Sequence, residues 1–254
     1  MSAQTLVRVE DDGAVRILTL DSPSTMNGLS AQLRDQFMAA FDDAVIAGSV
    51  EAIVVTGAGG NFSAGGDISA MRKQTTAERV ELLERIQAFM LRWPTIPKPI
   101  LVAVEGVAAG GGVAMTLSAD WAVAATDARF VAGWLAIALA PDMGAAWWAP
   151  RALGTKRAFD WLHGARIGAT DALASGLISA LCEPGEARAA AVARAKQLLT
   201  LPAAGRAATK RLIAASLATA DRAAFARIEL DEMARLIDSD DHRVAVEAFL
   251  ARKR

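Results

Sequence analysis

The sequence holds the segment NFSAGGDI at residues 61–68 and the segment GVAAGGG at residues 106–112. Each follows an apolar run typical of a buried strand, Ala52–Thr56 before the first and Ile100–Val104 before the second. Each also precedes a helical pattern. Glycine permits unusual dihedrals and close approach, and the start of a helix offers backbone N–H groups without partners. Two such N–H groups directed at one oxygen would form an oxyanion hole.

Strand and helix patterns alternate around these two segments. Asp12-Gly13 between two alternating runs predicts a hairpin, and Ser30 is placed to cap an amphipathic helix. From Thr155 onward the sequence is mostly helical in pattern. We therefore predict an α/β core in residues 1–190 and a C-terminal helical region in residues 191–254. Helices are predicted at Ala77–Arg92, Ala187–Leu199, Ala203–Leu217, Arg222–Ile237 and His242–Arg252, and further strands at Val7–Val9, Val15–Leu20 and Trp121–Ala125.

Composition excludes several function classes. The chain has 27 basic and 28 acidic residues, a net charge of −1, which offers no electrostatic footprint for nucleic acid or an anionic membrane. Its longest apolar stretch, Phe130–Pro141, is too short to cross a bilayer. The single cysteine, Cys182, cannot form an internal disulfide, and the N-terminal residues lack the apolar segment of a signal peptide. We expect a cytoplasmic protein without a nucleic-acid or membrane partner.

Two other interpretations of the first glycine-rich segment fail. Gly57-Ala58-Gly59 begins a dinucleotide fingerprint, but Phe62 occupies the place of its third glycine. Ser63 lacks the GxSxG context of a hydrolase nucleophile, and only His163 and His242 could serve it as a base. We therefore expect Ser63 to have a structural role.

Together, the motifs resemble those of the enoyl-CoA hydratase/isomerase (crotonase) family, and most of all its 1,2-epoxyphenylacetyl-CoA isomerase-like members. The resemblance covers nearly the whole chain in the family's order. It implies an α/β fold, a spiral of repeated ββα units with a C-terminal helical trimerisation region, and therefore a homotrimer or a dimer of trimers. The segments that carry it are SPSTMNGLS (22–30), NFSAGGDI (61–68), IPKPILVAVEG (96–106), GVAAGGGVAMTLSADWAVAA (106–125), ALAPDMGAAWWAPRALG (138–154), GARIGATDALASGLIS (164–179) and DDHRVAVEAFLARKR (240–254).

The resemblance also implies a site for an acyl-CoA thioester. The oxyanion donors would be the backbone N–H groups of Gly66 and Gly111, and coenzyme A would arrive as part of the substrate. No permanently bound cofactor and no metal are implied. Asp67 is expected to act mainly through hydrogen bonds within its loop. The residues placed against the coenzyme A moiety are Thr25, Ala64, Gly65, Asp67, Ile68 and, towards the phosphates, Lys253.

Two departures from the family pattern bear on the reaction. Hydratases carry one catalytic glutamate three residues after the middle glycine of the triplet, where this chain has Ala114, and a second where it has Trp134. Adding water needs groups that deprotonate it and handle the α-proton, and neither side chain can do so. Hydratase activity is therefore not expected.

Asp142, in the segment Ala140–Gly144, is the carboxylate that the resemblance leaves at the acyl end of the site. The isomerase-like members carry P-D-x-G here, followed by W-x-x-P-R-x-x-G, which this chain matches. We predict that Asp142 shuttles a proton during double-bond migration. The competing interpretation is that Asp142 caps the helix that starts near Gly144.

Three alternatives to an isomerase stay open. The eight-residue step from Trp134 to Asp142 resembles the 4-chlorobenzoyl-CoA dehalogenases, but their histidine base aligns with Gln87, so only an aromatic acyl pocket lined by Trp134 carries over. Hydratase-like activity is the second alternative. The third is a non-catalytic homologue that binds coenzyme A or RNA, and RNA binding would need a basic stripe that this chain lacks.

Overall fold

The computed structural model describes residues 4–251, which form a mixed α/β fold on two sheets. The strands in this part of the chain are β1 (Val7–Asp12), β2 (Val15–Leu20), β3 (Ala52–Gly57), β4 (Ile100–Val104), β5 (Val107–Ala109), β6 (Trp121–Ala125), β7 (Arg129–Val131), β8 (Arg166–Gly168) and β9 (Ala180–Cys182). The larger sheet has the order β1-β2-β3-β4-β6-β9, and the smaller sheet has the order β5-β7-β8.

The larger sheet is parallel apart from its first hairpin. β1 pairs antiparallel with β2 across Asp12 and Val15, as the Asp12-Gly13 pattern predicts. The other neighbours in this sheet pair in parallel. β4 is fully buried along its length, which fits a parallel sheet covered on both faces.

Helices cover both faces of this sheet. Ser30 caps the first helix by accepting a hydrogen bond from the Leu33 N–H, as predicted, and a capping box of Thr75 and Glu78 begins the third. The helices are α1 (Ala31–Ile46), α2 (Ile68–Met71), α3 (Thr76–Leu91), α4 (Gly111–Ser118), α5 (Ala145–Leu153), α6 (Thr155–Leu162), α7 (Ala169–Ser175), α8 (Ala187–Leu199), α9 (Ala203–Ala218), α10 (Arg222–Ile237) and α11 (Asp240–Ala251).

Each face of the sheet has its own apolar core. On one face, α8 packs Ala187, Ala191 and Ala195 against the inward side chains of β2, β3, β4 and β6. On the other face, a larger cluster includes the aromatic side chains of α1 and α3 and that of Trp93, which follows α3 and stacks on Phe41 at 5.1 Å between ring centroids. This second cluster forms the support on which the functional site is built.

Two features of the second half differ from the expectation of a mostly helical chain after Thr155. β8 completes the small sheet and β9 forms the edge of the large one, and both are only three residues long. Strands this short carry too little alternation to be recognised in a sequence. The boundary expected between residues 190 and 191 falls inside α8.

An ion pair between the buried Lys210 and the partly exposed Asp120 side chain attaches α9 to the core. The Lys210 ammonium donates to the Asp120 carboxylate at 2.6 Å and to the Lys98 carbonyl at 3.1 Å, and the Asp120 carboxylate also accepts from the Ile100 N–H. Burial raises the pKa of Asp120, while burial lowers the pKa of Lys210.

None of the helices in residues 4–251 is long and apolar enough to span a membrane.

Candidate active site

The two glycine-rich segments lie side by side, and Ser63 joins them. Its carbonyl accepts a hydrogen bond from the Ala109 N–H at 2.8 Å, and an isolated parallel bridge pairs it with Ala108. The Ser63 hydroxyl is fully buried, donates to the Asn27 carbonyl at 2.8 Å and accepts from the Gly65 N–H at 3.1 Å. The structural role predicted for Ser63 is thereby confirmed.

Gly65 sets how closely the segments approach each other. Its φ of +84° lies in the left-handed region, and its carbonyl accepts from the Leu29 N–H at 2.7 Å. A Cβ atom at this position would lie 2.7 Å from the Ala109 carbonyl oxygen and 3.1 Å from the Gly111 nitrogen. Only glycine fits here without moving the backbone, so Gly65 brings the neighbouring Gly66 close to Gly111.

Gly66 and Gly111 line one cavity and keep their N–H groups available. Within residues 4–251, neither N–H donates a hydrogen bond to another group of the protein. Gly111 is the first residue of α4, so its N–H belongs to the positive end of a helix dipole. The pair can therefore donate to an oxygen that gains negative charge.

The cavity, of about 200 Å³, extends from these segments between α1 and α3. Its wall is mostly apolar, which suits the hydrocarbon part of a ligand. The apolar side chains that line it are Leu29, Ala31, Phe37, Met38, Ala64, Ile68, Ala70, Met71, Leu82, Leu83, Ile86, Phe89, Met90, Ala109, Met115, Trp134, Ile137, Leu139 and Met143.

Asp142 brings a carboxylate to the same cavity. Its Oδ1 atom accepts a hydrogen bond from the buried Trp134 indole Nε1 at 2.8 Å. Burial raises the pKa of Asp142, and the indole N–H opposes that rise because it stabilises the carboxylate. Met143 and Gly144 follow with φ of +52° and +84°, a turn that ends before α5.

The helix-cap interpretation of Asp142 is wrong. α5 has Gly144 as its N-cap residue and no side-chain cap, and Asp142 contributes only its backbone carbonyl to the turn, which the Ala145 N–H meets at 2.9 Å. Asp142 thus lines the cavity with its carboxylate hydrogen-bonded to Trp134.

Comparison with known proteins identifies the family to which this site belongs. The family model described as enoyl-CoA hydratase/isomerase matches residues 10–254. The chain belongs to the enoyl-CoA hydratase/isomerase family. A Rhodobacter capsulatus protein named "Probable enoyl-CoA hydratase" is 34% identical over 97% of this chain and 95% of its own. The 1,2-epoxyphenylacetyl-CoA isomerase of Escherichia coli is 30% identical over 94% and 93%.

Solved structures agree with this assignment. The enoyl-CoA hydratase of Polaromonas sp. JS666 superposes with a TM-score of 0.92 at 28% identity, covering 97% of each chain. The crotonase-type α/β fold predicted from the sequence is therefore confirmed. The names of the relatives include both hydration and isomerisation, so membership of the family establishes an acyl-CoA enzyme and leaves the reaction to the side chains of this site.

At the two positions where family hydratases carry glutamate, the structure shows no acid. Ala114 lies inside α4 and is fully buried, and Trp134 donates its indole N–H to Asp142. Among the described residues that line the cavity, the carboxylates are Asp67 and Asp142. Asp67 Oδ1 accepts from the Ala70 N–H at 3.0 Å and so caps α2, which leaves Asp142 as the side chain suited to proton transfer.

Three of the six positions predicted to meet coenzyme A line the cavity. Ala64, Asp67 and Ile68 line the cavity, whereas Gly65 lies behind its wall. Thr25 is exposed in the turn before α1, where its hydroxyl bonds to Ser22, and Lys253 lies outside the described residues. No cluster of three or more metal-ligating side chains occurs within residues 4–251.

α1 and α3 contribute to the cavity in a way that was not predicted from the sequence. Ala31, Arg34 and Met38 face the cavity at a spacing of three and four residues, and Leu83, Ile86 and Met90 do so from α3. This helical periodicity was available in the sequence. It shows which residues share a face but not that the face borders a cavity.

Proposed function

We propose that this protein is an acyl-CoA double-bond isomerase that uses Asp142 to move a proton between the α- and γ-carbons of a 3-enoyl thioester. The observation that carries the proposal is the carboxylate of Asp142, hydrogen-bonded to Trp134 and lining one cavity with the free N–H groups of Gly66 and Gly111. Isomerisation of this kind needs one base and one oxyanion hole, and Asp142 and the two N–H groups are suited to these roles.

The chemistry follows from this arrangement in two proton transfers. The thioester carbonyl oxygen accepts from the N–H groups of Gly66 and Gly111, which makes the α-proton more acidic because the enolate is stabilised. Asp142 takes the α-proton, and the electron pair delocalises over the carbonyl and the former 3,4-double bond. Asp142 then returns the proton to the γ-carbon, leaving a 2-enoyl thioester and a regenerated carboxylate.

The surroundings of Asp142 suit it to carry the proton in both directions. Burial raises its pKa, so its conjugate acid holds the proton long enough to deliver it at the γ-carbon. The hydration route lacks a second acid, because Ala114 and Trp134 occupy the glutamate positions. A single carboxylate therefore favours isomerisation over the addition of water.

The family's use of coenzyme A thioesters supports a nucleotide site along residues 64–68. The Ala64 N–H is already engaged by the Met26 carbonyl at 2.8 Å, so the Ala64 carbonyl is the group that an adenine would contact. Thr25 and Lys253 remain proposed contacts of the nucleotide. We also propose that the chain assembles as a homotrimer or a dimer of trimers.

The hydrogen bond between Trp134 and Asp142 favours a second candidate, displacement of halide from an aromatic acyl-CoA. There the carboxylate would attack the ring carbon that bears the halogen, halide would leave, and water would hydrolyse the aryl ester. That hydrolysis requires a base, and the residues that line the cavity within the described chain include no histidine. Gln87, the residue aligned with that base, is exposed on α3. Halide release from 4-chlorobenzoyl-CoA would support this candidate.

The substitution Asp142→Asn tests the isomerase. It removes the base while retaining the size of the side chain, so we expect isomerisation of 3-enoyl thioesters to fall about 10²–10⁴-fold. Affinity for coenzyme A should stay the same, because the proposed nucleotide contacts lie at residues 64–68. Exchange of α- and γ-protons in deuterated water, followed by NMR, measures both transfers.

Controls separate this role from a structural one. Asp127→Asn, in the exposed turn between β6 and β7, should leave isomerisation unchanged. Because burial disfavours the Asp142 carboxylate, Asp142→Asn should keep or raise the melting temperature. Isomerisation that survives within a few-fold, or a parallel loss of coenzyme A binding, would show that Asp142 is not the proton shuttle.

A further inference from the structure

Arg34 places an unsatisfied cation in the same cavity. It lies on α1 between Ala31 and Phe37, and its side chain is only 15% exposed. Its Nε atom is buried without a hydrogen-bond partner. Buried guanidinium groups are normally satisfied by several acceptors, so this position is unusual for a residue with no ligand-binding role.

The neighbouring charges leave Arg34 short of an anion. Its nearest carboxylate is Asp35, whose Oδ1 lies 3.7 Å from Arg34 Nε, outside hydrogen-bond distance. That same oxygen is hydrogen-bonded to Arg85. Two guanidinium groups thus share one carboxylate. Burial lowers the pKa of Arg34, the negative charge of Asp35 opposes this shift, and the positive charge of Arg85 lowers the pKa further. An arginine nevertheless keeps its proton in proteins, so the site holds excess positive charge.

We propose that Arg34 binds an anionic end group, a carboxylate, on the acyl chain of the substrate. This inference rests on the proposed function, since it concerns the substrate of the same cavity. The rest of the wall formed by α1 and α3 is apolar, and an acyl chain is the part of an acyl-CoA that such a wall accommodates. A planar guanidinium with free donors matches a carboxylate through two parallel hydrogen bonds. The substrate class is therefore the mono-CoA thioester of an unsaturated dicarboxylic acid.

Binding of saturated thioesters tests the proposal without any turnover. Adipoyl-CoA and hexanoyl-CoA have the same chain length and differ in the terminal carboxylate, and free coenzyme A serves as the third ligand. By calorimetry, we expect the wild-type protein to bind adipoyl-CoA about 10–100-fold more tightly than hexanoyl-CoA. Arg34→Met should abolish that preference and leave the affinities for hexanoyl-CoA and free coenzyme A within about two-fold.

Stability separates binding from a structural role. If Arg34 serves a ligand, Arg34→Met removes an unsatisfied buried donor and should keep or raise the melting temperature of the ligand-free protein. Arg34→Lys keeps the positive charge but lacks the paired N–H donors of the guanidinium, so it should retain part of the preference for adipoyl-CoA. Arg92→Leu is the matched control, because Arg92 pairs with Asp42 near the end of α3, outside the cavity. It should leave the preference unchanged.

Two results would overturn the proposal. Equal weakening of all three ligands in Arg34→Met would show that Arg34 contacts the phosphates of coenzyme A. Equal affinity of the wild-type protein for adipoyl-CoA and hexanoyl-CoA would show that it does not recognise a terminal carboxylate. Neither result depends on Asp142. Conversely, full isomerase activity in Asp142→Asn would refute the mechanism without affecting the Arg34 measurements.

Discussion

At the scale of single residues, Asp142 is governed by two opposing effects. Burial raises its pKa, and the indole N–H of Trp134 lowers it. Because the folded pKa exceeds the unfolded one, the native state binds the proton more readily, and stability falls as pH rises between the two values. Above the pKa of Asp142 in the folded state, the loss of folding stability caused by its buried carboxylate is fully present. The proposed base is therefore kept at some expense to folding, as is common at functional sites.

This balance predicts how pH affects turnover in the variant Trp134→Phe. The base must be ionised, so kcat/KM should rise with pH through the raised pKa of Asp142. Loss of the indole N–H removes the group that stabilises the carboxylate, so this rise should move to higher pH. The pH profile of 3-enoyl isomerisation measures the shift. Trp147→Phe, at a half-exposed indole outside the cavity, should leave the profile in place. A profile that moves to lower pH in Trp134→Phe would contradict this account.

At the scale of secondary-structure elements, the site depends on the contact between two loops. The β3–α2 segment meets the β5–α4 segment through the Ser63–Ala108 bridge, and Leu29 holds the first segment from its other side through a bridge to Gly66. Backbone hydrogen bonds on both sides hold the segment that carries the proposed donor Gly66 before a ligand binds. Such preorganisation is what gives an oxyanion hole its effect.

The substitution Gly65→Ala tests this contact. The added methyl group would overlap the Ala109 carbonyl and press on the Gly111 nitrogen, so the loops must separate. We expect turnover to fall about 10²–10³-fold, the usual effect of losing one oxyanion donor. Gly60→Ala is the matched control, since Gly60 also has a positive φ, +74°, but open space at the Cβ position. It should cost about 1–2 kcal/mol of stability with turnover retained. Equal turnover in the two variants would argue against the loop contact.

The helices and strands with long sequence patterns were predicted well from the sequence. β4, β6, α8 and α10 begin and end at the predicted residues, because continuous apolar runs and helical periodicity are strong over that length. β8 and β9 were not predicted because a strand of three residues is too short to show an alternating pattern.

The contact of Trp134 with Asp142 could not be predicted from the sequence either, which gives their spacing of eight residues but not the turn between them. The role of Arg34 in the cavity depends on where α3 packs, a tertiary fact that no local pattern contains.

At the scale of the whole molecule, the C-terminal helices leave apolar side chains on the surface. Leu230, Met233 and Ile237 lie along one face of α10 and are more than half exposed, and Val244 on α11 is 65% exposed. Apolar patches on this scale commonly mark protein–protein interfaces. The ion pair of Lys210 with Asp120 fixes α9, the helix that α10 follows and packs against, to the core.

We therefore expect the protein to associate through α10. Analytical ultracentrifugation at micromolar concentration should give a mass of three copies or a multiple of three. Leu230→Glu combined with Met233→Glu places charges on the proposed contact and should shift the distribution towards the single chain. Ile46→Glu is the control, because Ile46 is 80% exposed at the end of α1 and should leave the mass unchanged. A wild-type protein that sediments as a single chain would contradict the trimer.

The proposed oxyanion donors are main-chain groups, whereas the proposed base is a side chain on a separate turn. This separation has an evolutionary consequence. A point mutation in the codon for Ala114, Trp134 or Asp142 changes the available acids and bases without altering the N–H groups of Gly66 and Gly111. The N–H groups proposed to stabilise the enolate can thus be inherited intact while the proposed base is exchanged. Few substitutions are then needed for the descendants of one ancestral gene to catalyse different reactions. A name assigned from overall sequence similarity reflects the shared N–H groups and not the side chains that determine the reaction.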